Sequence, residues 1–181
     1  MTSVPAAQQE EIERYIGDAS SLIHLKGAGL RMPITEIKGA RIILPEGVEF
    51  ESRQLAKLLA NCSEIVLMGA TAGREIMDAI ESDATGANVT RGIVLDAAAS
   101  EIVDASLNWI MDYFNQSLRR ENRILLRKRY SAGYGDLFLE TQKAMYRLLQ
   151  LDIIGIEITD SSMLVPEKSV TAITGIKAQT S

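Results

Sequence analysis

Apolar or small side chains recur at Val89, Ile93, Ala97, Ser100, Leu107, Met111 and Phe114. This is a 3.6-residue rhythm over roughly thirty positions, and a strand cannot follow it. The spacing predicts one long helix from about Asn88 to Leu118, the longest element of the chain. Gly92 weakens its first turns by about 1 kcal/mol relative to alanine, and Gly92 to Leu95 can instead be read as a strand.

Shorter elements flank this helix. Upstream, a helix is predicted from Gln8 to Ile16, stopped by Gly17, and Gly27-Ala28-Gly29 reads as a loop. Arg41 to Leu44 reads as a short strand ended by the turn signal Pro45-Glu46-Gly47. Phe50 to Ala60 has helical spacing at Leu55, Leu58 and Leu59. Glu64 to Met68 reads as a buried strand running into Gly69 and a helix carrying Ile76, Met77 and Ile80. Downstream, Asp136 is placed to cap a helix bearing Thr141, Ala144, Met145, Leu148 and Leu149 on one face. The C-terminal stretch turns β-branched with period two: Ile154 to Thr159, Met163 to Val165, a turn at Pro166-Glu167-Lys168, then Ser169 to Ile176. The last two strands around that turn read as an antiparallel hairpin. Strands at both ends and helices between them predict an α+β fold, an antiparallel twisted sheet with flanking helices including the long central one. The length of 181 residues fits a single domain spanning 1–181.

Composition removes several function classes. One histidine (His24) and one cysteine (Cys62) cannot supply an intrachain disulfide, a Cys/His zinc cage or an iron–sulfur site, so no metal site is expected. A net charge of -5 argues against a general nucleic-acid binder. Met1 to Gln9 lack a positive start followed by an apolar core. Uncharged apolar runs such as Ile65 to Ala72 fall far short of the ~20 residues of a membrane-spanning helix. With Cys62 free, these features lead to an expectation of a cytoplasmic chain without membrane partners.

Three stretches carry candidate chemistry. Gly69-Ala70-Thr71-Ala72-Gly73 follows a strand and opens a helix, where phosphates can be cradled; it matches neither G-x-G-x-x-G nor a P-loop, and a tight strand-to-helix turn is the plainer reading. Arg119, Arg120, Arg123, Arg127, Lys128 and Arg129 form a basic cluster offset only by Glu121, while the rest of the chain carries 13 positive and 23 negative charges. Such polarity suits an anionic or acidic partner, or a solvated helix end. The segment Arg129-Tyr130-Ser131-Ala132-Gly133-Tyr134-Gly135 joins a guanidinium fork that matches a carboxylate to small residues that let a ligand approach the backbone. It reads as a small-ligand loop, or as a connector turned by its glycines.

Arg129 to Tyr134 as R-x-x-x-G-Y, Glu140 to Leu149, Thr159-Asp160-Ser161, Pro166 and Ser169-Val170 occur in an order and spacing that resembles the activation domain of cobalamin-dependent methionine synthase. The likeness extends from Asn88 to Ile176. Short, stand-alone versions of that domain also carry the Leu-Asp-Ala-Ala type segment found at Leu95 to Ala98. The resemblance implies a protein that binds S-adenosylmethionine while a one-electron donor reduces inactive cob(II)alamin, so that methyl transfer traps the reduced cobalt as methylcobalamin. The cofactors carry the bond-making and the protein supplies orientation and charge.

Carried over by the resemblance, Arg129 holds the carboxylate of S-adenosylmethionine, Ala132 and Gly133 bind it through the backbone, and Tyr134 faces the corrin as the catalytic position. Asp104, on the long helix, corresponds to a carboxylate that holds the ligand's cationic end; without the family it is an exposed helix charge. The family's second acid falls at Arg123, with Glu121 two residues away as the nearest candidate. The family's later ligand-contacting tyrosine segment has no counterpart before Ser181, which implies weak affinity or completion by another protein. No Asp-x-His-x-x-Gly segment is present to ligate cobalt, so cobalamin is expected only on a partner: a methionine synthase lacking its own activation domain. The basic cluster is expected to meet that protein or a flavodoxin-like electron donor. The alternatives are a docking module for a corrinoid protein that does not use S-adenosylmethionine, and a reactivation factor for another corrinoid methyltransferase.

Overall fold

The computed structural model describes residues 5–86 and 88–179. Both ends of the 1–181 domain expected from the sequence therefore lie outside the described residues. Two long apolar strands, β5 (Glu64–Thr71) and β9 (Ser169–Ala178), form the middle of a four-stranded antiparallel sheet. β1 (Lys26–Pro33) and β6 (Arg123–Leu125) form its edges, in the order β1-β5-β9-β6. β5 pairs along its full length with both neighbours, from Glu64↔Ile176 to Thr71↔Ser169 on one side and from Pro33↔Glu64 to Lys26↔Thr71 on the other. Its near-continuous apolar run is what a strand covered on both faces requires.

Each face carries its own core. On one, α4 (Val89–Leu118) lies across the sheet. Leu107, Met111 and Leu118 pack on Val66, Met68, Ala70, Ala172 and Ile176. Further along α4, Leu95, Ala99 and Val103 meet Ala19 of α1 (Ala6–Leu22) and Ile76 of α3 (Arg74–Thr85). On the other face, Ile65, Leu67 and Ile173 are covered by α2 (Arg53–Leu59) and α5 (Thr141–Leu149). A small sheet of β2 (Glu36–Lys38), β3 (Arg41–Ile43) and β4 (Glu49–Glu51) adds Ile42 and Phe50 to that core. The α+β class, the antiparallel sheet and the long central helix are as the sequence indicates.

Glycine accounts for most of the differences. α1 runs through Gly17 to Leu22, because burial of Ala19 outweighs the roughly 1 kcal/mol that glycine costs inside a helix. Gly27-Ala28-Gly29 is strand, not loop. A side chain at Gly29 would stand 2.6 Å from the Phe114 ring, so glycine here admits α4 rather than turning the chain. Gly69-Ala70-Thr71 likewise continues β5 with Leu151 packed over Gly69; the tight strand-to-helix turn is confined to Ala72-Gly73 before α3. Gly92 to Leu95 is helical, with Gly92 facing Asp83 of α3. Arg91 beside it is bound by Asp18 (2.8 Å) and Asp83 (2.7 Å).

Two strand assignments also change. Phe50 belongs to β4, and the following helix starts only at Arg53. The expected C-terminal hairpin does not form: β8 (Leu164–Val165) pairs back with β7 (Glu157–Ile158), while β9 inserts between β5 and β6. Thr171 to Ile176 are buried on both faces, and a strand so placed needs two neighbours.

The two glycine environments give opposite expectations. Gly17→Ala fills open space inside a helix and should stabilise by about 0.5–1 kcal/mol. Gly69→Val drives atoms into Leu151, whose methyl lies 2.7 Å from the new Cβ, and should destabilise by about 1–3 kcal/mol. At about 2–4 °C per kcal/mol for a domain of this size, thermal melts resolve both; a higher melting temperature for Gly69→Val would contradict this packing.

Candidate functional site

Past β6 the chain keeps following β9. Leu126 donates its N–H to the Gly175 carbonyl (2.8 Å), and Tyr130 exchanges both backbone hydrogen bonds with Ile173 (2.8 and 2.7 Å). Between them the Thr174 hydroxyl donates to the Leu126 and Lys128 carbonyls. Side chains alternate across such a segment, so Arg129 emerges toward α4 and Tyr130 toward α2.

Arg129 Nη2 donates to both carboxylate oxygens of Asp104 (2.7 and 2.6 Å), and Nη1 donates to Asn108 Oδ1 (2.8 Å). Asp104 and Asn108 sit one turn apart on one face of α4. The arginine is mostly covered, with 22% of its side chain exposed, whereas the carboxylate is 66% exposed. Nε–H has no partner among the described residues, so one guanidinium donor remains unused. A cleft of about 190 Å³ continues from Asp104 between Ser100 and Val103 on one wall and Glu167 to Val170 on the other.

The loop after Arg129 is held in place at several points. Tyr134 N–H donates to the Ser131 carbonyl (3.1 Å) and Gly133 N–H to the Leu137 carbonyl (2.9 Å). Gly133 and Gly135 have φ of 82° and 60°, conformations that glycine adopts without strain. A side chain at Gly135 would stand 2.8 Å from the Tyr130 hydroxyl, which donates to Gln54 of α2. Tyr134 lies edge-on to the Tyr130 ring, centroids 5.4 Å apart, and is 63% exposed.

Asp136 does not cap the helix that follows it. α5 begins without a side-chain cap at Glu140, and Asp136 instead reaches the start of α2. There its carboxylate accepts from the Ser52 hydroxyl and from the N–H groups of Arg53 (2.8 Å) and Gln54 (3.3 Å). The Ser52 hydroxyl and those backbone donors hold the Asp136 carboxyl below the ordinary carboxylate range. Burial, with the Asp136 charge and Tyr134 behind it, pushes the Tyr130 phenol up.

The structure brings together Asp104 and Arg129, with Ala132, Gly133 and Tyr134 on the loop that Arg129 opens. Glu121 is not among them. It sits in the short turn after α4, seventeen residues beyond Asp104 and most of that distance along the helix axis, at 1.5 Å per residue. Arg31 binds it with two hydrogen bonds of 2.7 Å, and Arg123 lies within 3.8 Å. Arg31 and Arg123 also bind Glu64. Burial alone would raise Glu64, but the Arg31 hydrogen bonds and the Arg123 charge hold it below its usual value. The Arg31 hydrogen bonds lower Glu121 as well. The basic cluster is thereby divided: Arg123 and Arg129 are ion-paired within the fold, while Arg119, Arg120, Arg127 and Lys128 are exposed.

Sequence reasoning missed Asn108 and Gln54. Asn108 was accessible as the residue one turn from Asp104; nothing local marks Gln54. A larger groove of about 440 Å³ lies beside β1 on α4, lined by Gly27, Gly29, Trp109, Ile110 and Tyr113 among others, and none of the candidate ligand-binding residues Asp104, Glu121, Arg129, Ala132, Gly133 and Tyr134 lines it. Among the described residues no group of three or more His, Cys, Asp or Glu is placed to hold a metal, and no helix is long and apolar enough to cross a membrane.

No family model matches the chain, and no curated protein matches it. Among solved structures it is similar to the crystal structure of the MetH reactivation domain bound to AdoHcy, with a TM-score of 0.70 and 15% sequence identity. The match covers 96% of this chain and 67% of that one. At this identity the two share a fold.

Asp136 supplies a test of how the loop is held. A carboxylate whose folded pKa is depressed contributes stability above its unfolded pKa, near 4, and loses it as the pH falls through the folded value. Asp136→Asn should therefore melt below the wild type at neutral pH and converge toward it as the pH falls from about 5 toward 2. Melting curves over that range check this; a pH-independent gap would show that the charge does not anchor the loop.

Proposed function

We propose that this chain binds S-adenosylmethionine at Arg129 and Asp104 and presents its methyl group to a reduced cobalamin carried by a partner protein. In this reading it is an accessory component that reactivates a cobalamin-dependent methionine synthase lacking its own activation domain. The observation that carries the reading is the Asp104–Arg129 pair beside an anchored, glycine-flanked Tyr134. The shared fold with a reactivation domain that binds AdoHcy supports it.

The free end of an amino acid is a zwitterion, and the pair is its complement. Arg129 offers a planar fork to the ligand carboxylate, with Nε–H already unengaged and Nη2 released as Asp104 turns to the ammonium group. Asp104, largely in water, takes the ammonium group. Binding thus turns one internal ion pair into two across the ligand, without leaving either charge bare. Ala132 and Gly133 let the ligand lie against the backbone, and the Tyr134 ring stands on the exposed side where a corrin would approach. A cobalamin carried by the partner and reduced by a one-electron donor would supply the nucleophile for the sulfonium methyl, with S-adenosylhomocysteine as the leaving group; Arg129 and Asp104 would hold and orient the methyl donor. Glu121, engaged by Arg31, has no part in this site.

A docking module that does not use S-adenosylmethionine is the second reading. It is favoured by the partners Arg129 already has in Asp104 and Asn108.

Calorimetry with S-adenosylmethionine separates the two. Arg129→Ala removes a charge-assisted contact worth about 1.5–3 kcal/mol, and affinity should fall roughly ten- to a hundredfold. Arg129→Lys should recover only part of it, because a point charge does not reproduce the fork. The melting temperature should change little, since an ion pair with one well-exposed partner contributes about 0–1 kcal/mol. Unchanged affinity with a lowered melting temperature would favour the docking module.

The exposed basic side chains make a separate expectation. If Arg119, Arg120, Arg127 and Lys128 meet an acidic flavodoxin-like donor or the corrinoid protein, complex formation should weaken steeply from low to physiological salt. Salt-indifferent association would remove this patch from the interface.

A further inference from the structure

The cleft that begins at Asp104 has a second wall with no role so far. Ser100, Val103 and Asp104 of α4 form one side, and Glu167, Lys168, Ser169 and Val170, the turn that feeds β9, form the other. Val103 and Val170 make an apolar floor continuous with the core around Leu95 and Ala99. At about 190 Å³ the space is smaller than the ~300 Å³ of a site that encloses a whole drug-sized molecule. It fits one moiety of a ligand whose remainder lies outside.

Most polar groups on this wall are engaged by the fold. Lys168, with only 14% of its side chain exposed, donates to Asp96 Oδ1 (2.7 Å) and Ser100 Oγ (2.9 Å). The Ser100 hydroxyl donates to the Asp96 carbonyl (3.0 Å), and the Ser169 hydroxyl donates to Thr71 Oγ1 (2.8 Å). Glu167 is different: it is exposed, and its carboxylate has no hydrogen-bond or ion-pair partner among the described residues. An ionised carboxylate only accepts hydrogen bonds. Set on the rim of an apolar-floored cleft, it suits a sugar ring whose hydroxyl groups donate.

We infer that Glu167 is the hydroxyl-accepting residue of a second subsite, in which the cleft takes the ribose of a nucleoside whose amino-acid end lies on Arg129 and Asp104. Asp104 borders both subsites, so one ligand joins them. The inference rests on the functional reading above, with Glu167 as an added specificity-determining residue.

Calorimetric titration of the whole chain with S-adenosylmethionine and with 5′-methylthioadenosine, which lacks the amino-acid end, tests it. Glu167→Ala should weaken both ligands about tenfold, with Glu167→Gln, which keeps one acceptor oxygen, falling between it and the wild type. Arg129→Ala should weaken S-adenosylmethionine and leave 5′-methylthioadenosine unchanged. The Glu167 variants should melt with the wild type, because the side chain touches no partner. Wild-type affinity for S-adenosylmethionine in both Glu167 variants would overturn the subsite while leaving the functional reading intact. A wild-type chain that binds neither ligand would overturn the functional reading and the subsite with it.

Discussion

The position of β9 between β5 and the segment from β6 to Tyr130 is the constraint on which the rest of the molecule depends. It sets the register in which Tyr130 bonds to Ile173, and strand alternation then decides that Arg129 faces α4 and Tyr130 faces α2. It also brings Lys168 and Ser169 against the middle of α4, which creates the cleft. The magnitudes show what holds this arrangement. Burying side chains such as Val66, Met68, Leu107 and Ile176 contributes about 1.5–3 kcal/mol each. The Asp104–Arg129 pair, with its carboxylate in water, contributes about 1 kcal/mol at most. Packing builds the site, and the ion pair is free to exchange partners without unfolding it.

The loop that carries Tyr134 is rooted in the core by Tyr130 and Leu137, and polar contacts fix its direction between them. Asp136 ties one end to the start of α2, and the Tyr130 hydroxyl ties the other to Gln54 of the same helix. α2 in turn is rooted in the core through Leu55 and Leu59. An exposed aromatic ring on a backbone anchored in this way keeps its direction, as the proposed meeting with a partner-borne cofactor would require.

Sequence pattern revealed the parts of the fold that are local. The rhythm from Val89 to Phe114 carried α4 and, with it, the placement of Asp104 on a rigid element. The composition of Arg129 to Gly135 marked a loop with a distinctive backbone. Pairing was not legible in the same way. Ser169 to Ile176 has a strand's pattern whichever neighbour it takes, and the local turn at Pro166-Glu167-Lys168 suggested a hairpin that non-local burial overrides. Glycines misled for a related reason: Gly27, Gly29 and Gly69 look like chain breaks, yet each gives room to a side chain from a distant segment. Asp136 and Glu121 show the same limit for polar residues. Each has an obvious sequence neighbour, yet its hydrogen bonds come from groups more than eighty residues away.

In the proposed site, Arg129 and Asp104 exchange their mutual contact for the two charges of an amino-acid ligand. A crystal structure of this chain with S-adenosylhomocysteine tests it directly. The ligand carboxylate should lie on the Arg129 guanidinium and the ligand ammonium on Asp104, with Tyr134 exposed beside the thioether sulfur. A ligand bound elsewhere, with the Arg129–Asp104 hydrogen bonds unchanged, would contradict it.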